Sequence, residues 1–181
     1  CLKLSVDGTY TIINQFNVNS VVGGFPVGGI AIGNDGAIYG ATGYASYEYS
    51  GILEPRGNLY KVAPNGTVIL IFQANGLGLA TIRTKFAVKQ DGTVYGTYDN
   101  RTENGTPGSF FKIEPTTDRI TFFDLTDLHS TNLYCCFNNL TGLIIGKDGN
   151  LYGTAESVGE SLIPIWQGVI YSIDSSNIVP G

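Results

Sequence analysis

Residues 29–42 read GIAIGNDGAIYGAT, and the phrase returns as FAVKQDGTVYGTY at 86–98 and GLIIGKDGNLYGTA at 142–155. Aligned on their turns, Asp35, Asp91 and Asp148 fall 56 (91 − 35) and 57 (148 − 91) residues apart. Each copy has an apolar run, an Asp-Gly turn and an apolar-Tyr-Gly strand. Asp-Gly between apolar runs signals a tight hairpin, with positive φ expected at both central residues. A period of this length marks one supersecondary unit repeated in tandem.

Working outward, GNLYKVAPNGTVILIFQ (57–73) and GSFFKIEPTTDRITFFDL (108–125) are two copies of a second hairpin. The opening residues 1–17, CLKLSVDGTYTIINQFN, match them, with Lys3 over Lys61 and Lys112. The unit is therefore four strands, a to d, rich in the β-branched and aromatic residues that suit half-buried strands. The fold class expected is all-β, with propeller-like blades of four antiparallel strands in about three and a half repeats. A single repeat domain over 1–181 divides into a half blade (1–17), blades at 28–73 and 82–125, and an incomplete blade at 141–179. Linkers run from strand d to the next strand a, and the b-to-c loops Gly43–Arg56, Asp99–Pro107 and Glu156–Gln167 are the longest and most variable parts, where binding is expected.

Composition agrees: 25 glycines, 11 tyrosines and 14 % charged residues leave no room for long amphipathic helices. A net charge of −5 without a basic block argues against nucleic acid or an anionic membrane as partner. No apolar run approaches the roughly 20 residues of a transmembrane helix. The absence of Met and the start at Cys1 are read as a mature or excised product.

The phrases DGNLYGTA and DGTVYGTY, followed by SFFKIEP and LYKVAPNGT, resemble the Gloeo-Verruco tandem repeat. The resemblance covers all three repeats. It implies propeller-like blades and an extracellular, secreted or cell-surface setting, and it carries no reaction or catalytic residues. The first b-to-c loop, with Tyr44, Tyr47 and Tyr49, and the third, with Pro164 and Trp166, depart from the family's Gly-rich passage.

Candidate sites are few. One acid per Asp-Gly turn is turn chemistry, because a calcium loop needs several oxygens at alternating positions; no metal or other cofactor is expected. His129 is the single histidine, and no nucleophile-elbow pattern accompanies it. The carboxylates Glu48, Glu54, Asp99, Glu103, Glu156 and Glu160 sit in loops without a shared position, so the chain is expected not to be an enzyme. Tyr44, Tyr47, Tyr49 and Trp166 could stack on sugar rings or pack on a neighbour. Asn65, Asn100, Asn104 and Asn139 head N-glycosylation sequons.

Cys135 and Cys136 are adjacent, about 3.8 Å apart at Cα, too close for an easy mutual disulfide. With Cys1 they make three, so a disulfide between molecules is one reading; buried thiols and a lipid-modified Cys1 are the others. These features lead to an expected extracellular structural protein whose main partner is itself, assembling into a filament by strand complementation. The alternative expectation is a carbohydrate-binding propeller.

Overall fold

The computed structural model describes residues 2–17, 20, 22–44, 48–49, 52–53, 57–73, 79–81, 86–101, 109–124, 136–159, 168–175 and 178. Among them are 17 strands and no helix, and every strand pairing is antiparallel. A hairpin, β1 (Leu2–Leu4) and β2 (Tyr10–Ile12), comes first. The first sheet runs β3 (Gly24–Ile32), β4 (Ile38–Tyr44), β7 (Asn58–Val62), β8 (Val68–Gln73), with a small hairpin β5 (Glu48–Tyr49) and β6 (Ile52–Leu53) between β4 and β7.

The second sheet runs β10 (Ala87–Val88), β11 (Val94–Arg101), β12 (Ser109–Ile113), β13 (Ile120–Asp124), and β9 (Leu79–Thr81) also pairs β11. In the third, β14 (Cys136–Leu140), β15 (Ile144–Ile145) and β17 (Val169–Ile173) all pair β16 (Leu151–Gly159). No fourth strand follows β17 among the described residues.

The first strand of each sheet is broken at one place. In β3 the register slips between Val27 and Ala31, where Gly28 has φ 71°. In the other sheets the break separates β9 from β10 and β14 from β15. Residues expected in linkers thus form the outer half of strand a. The reason is the length of strand b: β11 and β16 outrun the inner half of strand a, and their remaining amides and carbonyls need partners.

The hairpin turns differ from expectation. Gly8, Gly36, Gly66, Gly92 and Gly149 have positive φ, but the Asp or Asn before each does not. Its Oδ1 instead accepts the amide two residues on, as from Ala37 to Asp35 (3.0 Å) and Thr93 to Asp91 (2.9 Å). That bond replaces the second left-handed residue, giving the longer loop in which only the glycine needs that region.

The Tyr-Gly phrase has a packing cause. Gly40, Gly96 and Gly153 lie opposite Tyr60, Phe111 and Tyr171, and a Cβ there would overlap the facing ring. With the rings laid over glycine, each sheet keeps a front face flat enough to receive the sheet before it. The back face of the first sheet (Tyr39, Ala41, Leu59) packs on Phe86, Val94, Phe111 and Ile113 of the second. The back face of the second (Ala87, Tyr95, Phe110) packs on Leu143, Leu151, Ala155 and Ile173 of the third. Residues after the N-terminal hairpin cover the front of the first sheet, Phe16 lying 4.7 Å from the Tyr60 ring. Gly96→Ala is expected to lower stability by about 1–3 kcal/mol in thermal or denaturant unfolding, through overpacking. Gly8→Ala, with open space at its Cβ, should lose only the roughly 1–2 kcal/mol of a left-handed backbone.

Candidate functional site

Antiparallel order sends the a–b and c–d turns to one end of every sheet and the b-to-c loops and d-to-a linkers to the other. At the turn end the main polar cluster joins two sheets. Lys61 Nζ lies 2.9 Å from Asp118 Oδ1 in the turn of the second sheet and 3.2 Å from Asp35 Oδ2 of its own. It also lies 5.3 Å from the centre of the Tyr39 ring. Asp118 holds a left-handed φ of 52°, where the equivalent turns carry glycine. Asn34 adds a bond to the Gln90 carbonyl (2.6 Å), turn to turn, and Lys89 one to Ser175 Oγ (2.9 Å) of the third sheet.

Burial pulls Lys61 down, but its bonds to Asp118, Tyr39 and Asp35 together outweigh that and hold the ammonium well above the usual lysine range. Burial likewise raises Asp35, and the Ala37 amide with Lys61 more than reverses it. Asp91 is lowered in net too, with burial opposed by bonds from Thr93. Asp148, lowered by bonds from the Tyr152 hydroxyl and the Asn150 amide, completes the set. The turn acids are engaged by backbone amides and neighbouring side chains, so this end is a clamp between sheets. Among the described residues no group of three or more His, Cys, Asp or Glu could hold a metal.

The loop end is different. Tyr44 ends β4, Asp99, Asn100 and Arg101 end β11 opposite Thr81, Ala80 and Leu79, and Glu156 with Ser157 lies in β16 beside β14. Counted from the Tyr of Tyr-Gly, Asp99 (95 + 4) and Glu156 (152 + 4) occupy the same position, which is Gly43 (39 + 4) in the first sheet. The expectation that the loop acids share no position is therefore corrected. Counting from Tyr95 and Tyr152 rather than from the loop boundaries reveals it. Here too Asn58 is fully buried with neither side-chain amide atom hydrogen-bonded, opposite Thr42, whose hydroxyl donates to the Val22 carbonyl.

The other predicted residues scatter. Asn65 sits in an exposed turn with its Oδ1 accepting the Thr67 amide (3.0 Å). Asn100 lies in β11, Asn139 and Cys136 in β14, and Tyr49 in β5. Cys1, Tyr47, Asn104, His129, Cys135 and Trp166 lie outside the described residues.

No family model and no curated protein sequence matches the chain. Solved structures do. A candidate gluconolactonase aligns at TM-score 0.51 and 11 % identity, covering 94 % of this chain and 55 % of that one. A Hadza microbial sialidase aligns at TM-score 0.52 and 12 % identity, covering 85 % of this chain and 35 % of that one. The chain thus spans about half or less of the structures it matches. A luciferin-regenerating enzyme aligns more loosely, at TM-score 0.41 with 16 % identity over 81 % of this chain and 45 % of that one.

The fold is all-β and similar to that of propeller-like enzymes. This corrects two expectations, the structural filament subunit and the non-enzyme, because the structures that share the fold are enzymes and none is a fibre subunit.

The clamp has a pH signature. A lowered acid contributes stability above its ordinary value of 3.8, lost as pH falls through the folded value. A raised lysine contributes below its ordinary 10.5, lost as pH rises through the folded value. Melting temperature is expected to hold level between, and to fall at both ends. Lys61→Met should cost roughly 1–2 kcal/mol at neutral pH and blunt the alkaline fall, the partly exposed carboxylates recovering some hydration.

Proposed function

We propose that the chain is a run of β-propeller blades from a hydrolase of sugar-derived substrates, with its reacting groups at the loop end. The observation that carries this is the recurrence of a carboxyl group at one register position, Asp99 and Glu156, on consecutive sheets. Paired acids are the working parts of glycoside hydrolysis, one as proton donor and one as base or nucleophile. Asp99 and Glu156 take these roles here, and Tyr44 and Tyr49 supply stacking surface for a sugar ring.

Three further observations support the reading. Two fold neighbours are enzymes named for sugar chemistry. The turn end has its acids committed to backbone and lysine partners. The break in the first strand of each sheet is the kind of irregularity that re-aims side chains beside active sites. Propeller blades fit the repeated sheet order and the mutual approach of β3 to β10 and β10 to β15. The motif resemblance to the Gloeo-Verruco repeat agrees with blades and favours an extracellular setting.

The test is hydrolysis of a panel of sugar lactones and aryl glycosides, sialosides included, by the purified chain. Turnover of at least one class is expected. Asp99→Asn or Glu156→Gln should cut kcat by about 100-fold or more, whereas Asp91→Asn at the turn end should leave it within about twofold. No hydrolysis of any member, or activity indifferent to both loop-end variants, would overturn the assignment.

A further inference from the structure

Three residues of the segment 23–28 have left-handed backbone: Gly23 (φ 78°), Phe25 (φ 53°) and Gly28 (φ 71°). Glycine enters that region freely, but a side chain crowds the following carbonyl there, so Phe25 is held against its own preference. The residue is also 60 % exposed, in β3 at the loop end of the first sheet. Residues held in sparsely populated backbone regions cluster at active sites and ligand clamps. An exposed aromatic residue in such backbone has its reason outside the core.

The register supplies that reason. Gly24 pairs Tyr44 and Pro26 pairs Thr42, so Phe25 stands across from Gly43. Gly43 is the first-sheet counterpart of Asp99 and Glu156. On the second sheet Asp99 pairs Thr81, and on the third Glu156 lies between the pairs Ser157–Asn138 and Ala155–Leu140. The first sheet cannot take a third acid at this level without moving Val27, because a Cβ on Gly43 would come 2.9 Å from Val27 Cγ1. Val27 in turn packs against the core shared with the second sheet. Consecutive sheets meet along their first strands: β3 approaches β10, and the Thr97 hydroxyl, two residues before Asp99, donates to the Thr141 carbonyl (3.2 Å) just after β14. One level of the loop end therefore holds an exposed aromatic residue on the first sheet and acids on the second and third.

We propose that Phe25 is a substrate-binding residue of the loop-end site, its ring stacking on the apolar C–H face of a pyranose. This rests on the hydrolase reading and narrows it to substrates with a six-membered sugar ring. Such a ring presents C–H groups on its faces and hydroxyls around its edge, so its site needs an apolar wall beside the acids that reach the scissile bond. The register assigns the parts: acids at this level on the second and third sheets, and an aromatic wall on the first, where strand b has only Gly43.

Kinetics on glucono-δ-lactone and p-nitrophenyl glycosides, with saturation-transfer NMR on methyl glucopyranosides and galactopyranosides, test it. Phe25→Gly is expected to keep the parent melting temperature, because relief of the backbone offsets the added chain entropy. It should raise KM about 10-fold or more and leave kcat within about threefold. Phe25→Trp, which keeps an aromatic face, should hold KM within about threefold of the parent. Irradiation of the aromatic protons should saturate the C–H protons of one pyranoside face in the parent chain and lose that transfer in Phe25→Gly. Hydrolysis with a KM indifferent to Phe25→Gly, or a fall in kcat alone, would overturn the stacking role and leave the hydrolase assignment standing. A KM raised as much by Phe25→Trp as by Phe25→Gly would also overturn it. Pyranosides bound through Phe25 with no member of the panel hydrolysed would keep the stacking role and remove the hydrolase. Neither binding nor turnover would overturn both.

Discussion

The structure depends on an aromatic ring lying over a glycine on the neighbouring strand. Tyr60, Phe111 and Tyr171 project onto Gly40, Gly96 and Gly153, in the space a Cβ would need. A sheet that swallows its own largest side chains in this way can meet another sheet closely, face to face. The consequence runs through both interior interfaces, where Leu59 and Phe110 of one back face reach the core of the next front face. Fully buried apolar side chains of this size are each worth roughly 1.5–3 kcal/mol, so stacking rather than any single sheet carries the stability.

Stacking alone does not set the rotation of one sheet on another, and the turn end does that work. Lys61 reaches across to Asp118, whose left-handed backbone is tolerated because a short acidic side chain can occupy that region. Phe72 against Phe122, 4.7 Å between centroids, fixes the same pair of sheets at their outer strands. Between the second and third sheets the turn-end link is lighter, a lysine on a serine hydroxyl that in turn donates to the Gly149 carbonyl. That end registers the sheets, and the opposite end carries the long loops, where an acid recurs at Asp99 and Glu156.

Much of the architecture was legible before any coordinates. The Asp-Gly and Asn-Gly turns, the four-strand order and the three copies follow from local rules, since turn residues and alternating apolar strands act over a few positions. The same rules misjudged the turn itself, because the side-chain bond from Asp to the amide two residues on is as local as the backbone preference and outweighs it. They also treated as linkers the residues of β9 and β14, whose pairing is set by how far β11 and β16 extend and not by their own composition.

The sequence by itself determined the repeat, its strand class and the Tyr-Gly and Lys positions, because these are periodic and periodicity needs no partner to be seen. Only the tertiary structure decided what the positions are for. Lys61 has no acid at helpful spacing in the chain, and its partner Asp118 lies 57 residues on. Ile170 reads like Leu59, yet one is exposed and the other buried, because burial belongs to the sheet that arrives opposite. Asp99 and Glu156 share a place only once strand b is counted in register, since the loops between them differ in length and hide the match.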